Sequence, residues 1–265
     1  GYATTDKLTF NSDTIATSSV ALFQDMYNGV ANSGVTGYVY GSSATISKTP
    51  FTTESTGYLY SGISHAYAAP FANSGTAGYA AGGNGESRIS KMPFSTETAA
   101  NISATLSTNN TLAAGFANSG TAGYVAGGNN GGSYLNTIAK VTFSNDTRSN
   151  IAATLSTSGN QSAGASNNGT AGYVGSRWNG TAQNLISKVT YSNDTQSTIG
   201  ATMAVARYNY ASFAKSGTAG YFCGGNNSGT GIDKLLFSND SRSTLSATLS
   251  GSKVSMSSYA NSGVL

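Results

Sequence analysis

Charge, histidine and cysteine are scarce in this chain. Of 265 residues only 9% are Asp, Glu, Lys or Arg, with one histidine, one cysteine, one tryptophan and three prolines. Each shortage excludes something. The single cysteine, Cys223, permits no intrachain disulfide. It stands where other copies of a repeat carry Ala or Tyr, so it reads as a small core residue, not a nucleophile. The single histidine, His65, rules out a multi-histidine metal site, and a Ser-His-Asp triad would have to use that residue. The net charge of +3 is spread without a basic run, so neither nucleic acid nor an anionic membrane is an implied partner. No apolar run is long enough for membrane insertion, and no signal peptide is evident. A start at Gly1 without Met is expected of a processed product or of one part of a larger protein.

What is present is a repeat. The stretch ANSGTAGYVAGG at 117–128 returns as ANSGTAGYAAGG at 72–83 and KSGTAGYFCGG at 215–225. Looser copies run ANSGVTGYVYG at 31–41 and NNGTAGYVG at 167–175. An apolar run, a tight Asn/Ser-Gly turn and a second apolar run ending in glycine predict a β-hairpin, because the turn glycine takes positive φ without strain. Gly-Tyr recurs at Tyr2, Tyr38, Tyr79, Tyr124, Tyr173 and Tyr221, with gaps of 36, 41, 45, 49 and 48 residues. Read from Tyr221 through Leu265 to Tyr2 the sixth gap is 46, and the six gaps together span all 265 residues. The C-terminal ANSGVL joined to the N-terminal Gly1-Tyr2 reproduces ANSGVTGY, so the pattern is circular. Such strict periodicity argues against low-complexity disorder and for one domain over 1–265.

One unit reads as four short strands. In the fourth they are 123–128, 137–144, 148–155 and 161–167, separated by a loop (129–136), an Asn145-Asp146-Thr147 turn and a second loop. No helical period occurs. Four strands per repeat of 40–50 residues is the pattern of a propeller blade. The expectation is an all-β, six-bladed β-propeller with four antiparallel strands per blade. Its closure is expected from pairing of the C-terminal strand (254–260) with outer strands drawn from 1–19.

The order of turn, GYxxGG strand, loop, strand, acid-Thr turn and strand resembles the kelch repeat. Tryptophan is absent from the third segment, where Ile102, Ile151, Ile199 and Leu245 stand, and the arginine before the innermost strand survives at Arg207. The idiom SKVTFSNDT…ATLS…SGTAGY is similar to repeats of bacteriophage tail-fibre and other virion-associated proteins. That resemblance implies a virion-surface or extracellular location. The implied partners are a host-surface glycan or receptor and other fibre proteins, among them copies of the chain itself.

Fixed charges are expected to be structural. Lys7, Lys48, Lys91, Lys140, Lys188 and Lys234 recur once per unit, as do the turn acids Asp13, Glu54, Glu97, Asp146, Asp194 and Asp240. The acids are expected to bond their own turn's N–H groups, and the lysines to lie between blades and pair with turn acids. One carboxylate per turn is too few for calcium, so no metal and no cofactor are expected. The repeat tyrosines are expected to pack between blades.

The units differ in two places only, the loop after GYxxGG and the link from third to fourth strand. Strand alternation puts both on one face, and variation on a constant frame is how a scaffold presents a site. The candidate ligand-binding residues there are Trp178, Arg177, Asn179, Tyr134, Arg207, Tyr208, Asn209, His65, Tyr67, Asn226 and Asn227. A tryptophan with amide and arginine neighbours suits sugar stacking; the competing reading has Trp178 capping its blade's core. No catalytic residue is expected, because the non-repeat acids form no recognisable pair and only Glu86 falls on the variable face. The sequence therefore predicts a non-enzymatic adhesive module that binds host-surface carbohydrate. The alternatives are a structural decoration or self-assembling fibre part and, less favoured, a polysaccharide-degrading enzyme.

Overall fold

A computed structural model describes residues 4–21, 26–41, 44–64 and 66–261. Every regular element in it is a strand. The N-terminal hairpin pairs β1 (Thr4–Thr9) with β2 (Thr14–Ala21). Five four-stranded antiparallel blades follow. Blade 1 holds β3 (Met26–Asn32), β4 (Thr36–Gly41), β5 (Thr45–Pro50) and β6 (Gly57–Tyr60). Blade 2 holds β7 (Ala69–Asn73), β8 (Ala77–Ala81), β9 (Arg88–Pro93) and β10 (Ala100–Thr105). Blade 3 holds β11 (Ala114–Asn118), β12 (Ala122–Ala126), β13 (Thr137–Thr142) and β14 (Thr147–Thr154). Blade 4 holds β15 (Gly164–Asn167), β16 (Ala171–Val174), β17 (Leu185–Thr190) and β18 (Thr195–Thr202). Blade 5 holds β19 (Ala211–Lys215), β20 (Ala219–Cys223), β21 (Ile232–Leu236) and β22 (Ser241–Thr244). In each blade the strands pair in chain order, which is β-propeller architecture.

Burial explains the composition of the strands. The second strand of each blade is buried along its whole length, as in β8 and β12. The outermost strand alternates exposed and half-buried residues, as in β10. Core therefore lies between adjacent blades, and the repeat tyrosines are at its centre. Phe71, Tyr79 and Phe143 stack across blades 2 and 3, with 5.2 Å between the Tyr79 and Phe143 centroids. Phe116, Tyr124 and Tyr191 repeat the arrangement across blades 3 and 4. Glycine before the tyrosine is required here. A Cβ on Gly123 would lie 2.0 Å from the Phe71 ring, and one on Gly172 equally close to Phe116.

The repeat acids act differently from the sequence expectation. Each sits in its turn at φ between 50° and 56°, but its carboxylate reaches back to the preceding blade. Tyr38 and Lys48 donate to Glu97, Tyr79 and Lys91 to Asp146, Tyr124 and Lys140 to Asp194, Tyr173 and Lys188 to Asp240, and Tyr221 and Lys234 to Asp13. The Tyr Oη distances are 2.6–2.9 Å and the Lys Nζ distances 2.5–2.7 Å. Lys7 pairs in the same sense with Glu54. The turn's own N–H is served by the neighbouring asparagine, as Asn145 Oδ1 accepts from Thr147. The expected pairing of lysine with turn acid is present, and the acid belongs to the next unit.

The Asn-Ser-Gly turns lace the opposite face. Asn32, Asn73, Asn118 and Asn167 each accept, through Oδ1, the backbone N–H of the turn glycine one blade on, at 2.8–3.1 Å. In return the turn-serine hydroxyls of Ser74, Ser119 and Ser216 accept a backbone N–H from the blade before. The uniformity of these turns is thus the uniformity of the joints between blades.

One pin gives a pH test. Burial alone would raise the Glu97 carboxyl, but the hydrogen bonds from Lys48 and Tyr38 and the Lys48 charge outweigh it and leave it below the ordinary 4.5. A lowered folded-state pKa stabilises the fold above the unfolded value and loses that contribution as pH falls through the folded one. Thermal unfolding should show Glu97→Gln less stable than the wild type near neutral pH. The gap should narrow as pH falls below the ordinary carboxylate range and close once the Glu97 carboxylate is protonated in the folded protein. A gap independent of pH would remove the carboxylate from the account.

Two features depart from the six-bladed expectation. The described residues form five four-stranded blades and one two-stranded sheet. The expected innermost strand at 254–260 has no strand conformation. It is held instead by single contacts to both sides. Ser255 N–H donates to Asn209 O and Ser258 Oγ to Ser212 O. The Gly34 N–H donates to Asn261 O at 2.7 Å, and the Tyr259 ring lies over Gly37. A strand needs a ladder partner. The partner expected from the sequence, in 1–3 and 262–265, lies outside the described residues, as does the expected junction of the two ends.

Candidate ligand-binding face

The two variable loop classes meet on one face. Backbone bridges join Thr111 to Asn129, Asn160 to Trp178 and Tyr208 to Asn226, each pairing a link before an inner strand with the loop after a GYxxGG strand. One residue beyond each link position lies a second pattern. Tyr67, Leu112, Gln161, Asn209 and Ser255 all have φ between 52° and 61°, unusual for residues other than glycine. Four of the N–H groups donate to the carbonyl of the counterpart in the blade before, Leu112 to Tyr67, Gln161 to Leu112, Asn209 to Gln161 and Ser255 to Asn209, at 2.8–3.0 Å. These residues form a belt around the mouth of an axial pit of about 100 Å³.

The pit narrows because the inner strands converge. A Cβ on Gly115 would lie 1.9 Å from Pro70 O, and one on Gly164 would lie 2.3 Å from Gly115 O. None of the described residues lining the pit is charged. Beside the mouth, Trp178 and Tyr208 from adjacent blades pack at 4.7 Å between ring centroids, tilted by 52°. Both are half-buried, so Trp178 joins an inter-blade aromatic pair with part of its surface open.

The eleven candidates divide. Trp178, Tyr208, Asn209, Tyr67 and Asn226 belong to the mouth and its rim. Asn179 braces its own loop, accepting from Gln183 at 3.0 Å, and Tyr134 closes the equivalent loop of blade 3 against Asn129. Asn227 is exposed at the outer edge of the face, with Nδ2 donating to Ala206 O. His65 lies outside the described residues.

The two arginines are not on the surface. Arg177 is fully buried and donates to Thr157 O and Ser187 Oγ, and burial lowers its pKa. Gly159 makes the room, since a Cβ there would meet the Arg177 side chain at 2.6 Å. Arg207 is equally buried, bonded to Gly224 O, Ser228 Oγ and the carboxylate of Asp233. Asp233 also accepts from Ala204 N–H, Thr244 and Arg242. Both guanidinium groups are buried inside the blades and bonded there through their terminal nitrogens.

The other ionisable groups are equally committed. Nine of the ten carboxylates fall within the described residues, and each of the nine is ion-paired, Glu86 with Arg88 and Asp6 with Lys253 among them. Asp25 lies outside the described residues. No group of three or more metal-ligating side chains occurs among the described residues. Cys223 is buried, and burial pushes its thiol up to about 12, away from reactive thiolate.

Sequence reasoning missed Leu112, Gln161, Ser255 and Ser162. The signal was available, because Tyr67, Leu112, Gln161 and Asn209 each stand 12 residues before a repeat tyrosine. Their dissimilar side chains hid the shared position.

Comparison with known proteins extends the fold alone. No protein-family model and no curated protein matches the sequence. Solved structures do, with 402 matching chains, so the architecture is too widespread to indicate a role. Among them is the structure of YjhT, with a TM-score of 0.72 over 90% of this chain and 88% of that chain, at 12% identity. The likeness supports the β-propeller. It does not reach the resemblance to kelch repeats or to phage tail-fibre repeats.

Proposed function

We propose that this propeller is a non-enzymatic recognition module that binds carbohydrate on its variable face, at the Trp178–Tyr208 pair beside the axial mouth. The carrying observation is that pair, partly open and rimmed by Asn160, Gln161, Asn209 and Asn226. An aromatic surface takes the apolar face of a sugar ring while amides bond its hydroxyls. The commitment of every described carboxylate to an ion pair speaks against general acid–base hydrolysis. The setting we propose is a phage fibre or other virion surface presenting many copies. One sugar on one aromatic pair binds at about millimolar strength, so adhesion depends on multivalency.

We also propose that the hairpin and residues 251–261 together fill a sixth sector of the ring. In support, Asp13 takes Tyr221 and Lys234 from blade 5, and Lys7 reaches Glu54 of blade 1. The C-terminal segment bonds Ser212 on one side and Gly34 on the other.

The test is a glycan array and a cell-binding assay with the multimerised domain. Trp178→Ala should reduce glycan binding by about tenfold or more while leaving the unfolding temperature within a few degrees. Absence of binding to any surface glycan or cell would end this reading in favour of a structural fibre component.

A further inference from the structure

We propose that the axial pit selects sugars carrying an acetamido group, with the pyranose ring laid on Trp178 and Tyr208 and the N-acetyl arm inserted into the pit. This rests on the glycan reading of the same face. The first ground is distance. Tyr208 immediately precedes Asn209, and Asn160, which is bonded to the Trp178 backbone at 2.9 and 3.0 Å, immediately precedes Gln161. Consecutive Cα atoms are about 3.8 Å apart, so the aromatic surface and the mouth are one residue from each other on both strands.

The second ground is size. A pit of about 100 Å³ has room for a two-carbon acyl group. The convergence at Gly115 and Gly164, three residues along the strand and so at most about 10 Å from the mouth, limits how deep a group can go.

The third ground is chemistry. Leu112, Ala113, Ala163 and Met256 supply apolar wall for a methyl group. Gln161 and Asn209 present amides at the mouth. Ser162 lines the pit, its hydroxyl is buried and makes no hydrogen bond to the rest of the protein, and a turn about χ1 would let an acetamido carbonyl accept its proton. The described lining carries no charge, so a carboxylate-bearing sugar would lose hydration against it without a counter-charge.

The experiment uses the multimerised domain against matched oligosaccharides ending in N-acetylglucosamine or N-acetylgalactosamine, in glucose or galactose, and in a uronic acid. The expected result is at least about tenfold preference for the acetamido member of each pair, from one buried methyl and one hydrogen bond. Ser162→Ala, whose lost hydroxyl bonds nothing in the fold, should keep its unfolding temperature and reduce the preference several-fold. Leu112→Trp, which fills the mouth, should abolish the preference and leave binding of the glucose and galactose members in place. Equal binding within each pair overturns the acetamido inference and leaves glycan recognition standing. A preference that survives both substitutions also overturns it. Binding to no glycan overturns both.

Discussion

Replacing Asp233 by alanine should cost about 3–5 kcal/mol, the largest loss expected from any single carboxylate in the protein. Asp233 and Arg207 are each 1% exposed. Alanine would leave the Arg207 guanidinium buried with no opposing charge, and would strip acceptors from Ala204 N–H, Thr244 and Arg242. A chain of this length shifts by about 2–4 °C per kcal/mol, so the unfolding temperature should fall by about 10 °C or more. The double variant Arg207→Met with Asp233→Leu should recover most of the loss, because an apolar pair of similar volume removes the cost of burying charge. Calorimetry on the three proteins decides it. A single-variant loss under about 1 kcal/mol would mean that Arg207 finds water or another acceptor.

Gly115→Val should be comparably severe for a steric reason. Its Cβ would stand 1.9 Å from Pro70 O, and backbone on an adjacent blade cannot swing away as a side-chain end can. The two blades must separate at the axis, where the strands converge most closely. A loss of about 3 kcal/mol or more is expected, seen as a lower denaturant midpoint or as insoluble protein. Gly200→Ala is the control. Gly200 lies within β18, where an added Cβ would meet nothing within 4 Å and φ is not positive. Alanine there should be neutral or stabilise by about half a kcal/mol. If both substitutions behave alike, close approach at the axis is not what requires glycine.

What was legible from sequence is what repeats locally. Strand order, hairpin turns and the inter-blade place of Tyr79 and Tyr124 follow from patterns within a few dozen residues. The acid pins were half legible. A turn acid at fixed spacing is visible, but its partner is a lysine in another unit, as Lys91 is for Asp146, 55 residues away. Local turn chemistry therefore claimed the acid for its own N–H groups. The arginines misled for a related reason. Arg177 sits in a variable loop and reads as exposed, yet Gly159, from the neighbouring link, opens an internal space that it fills. No pattern in a single segment announces a compensation between two segments. Blade number was read from the spacing of six Gly-Tyr pairs, whereas a blade exists only when four strands are laddered, and five sets are.

The belt at the axial mouth separates conformation from identity. Its backbone geometry is fixed by bonds from main-chain N–H to main-chain carbonyl, so its demand on the side chains it displays is limited to tolerance of positive φ. Tyrosine, leucine, glutamine, asparagine and serine occupy equivalent places, and none is β-branched, the one class that positive φ penalises most. Selection, natural or in a combinatorial library, can therefore rewrite what the mouth reads one position at a time while the blades beneath keep their shape.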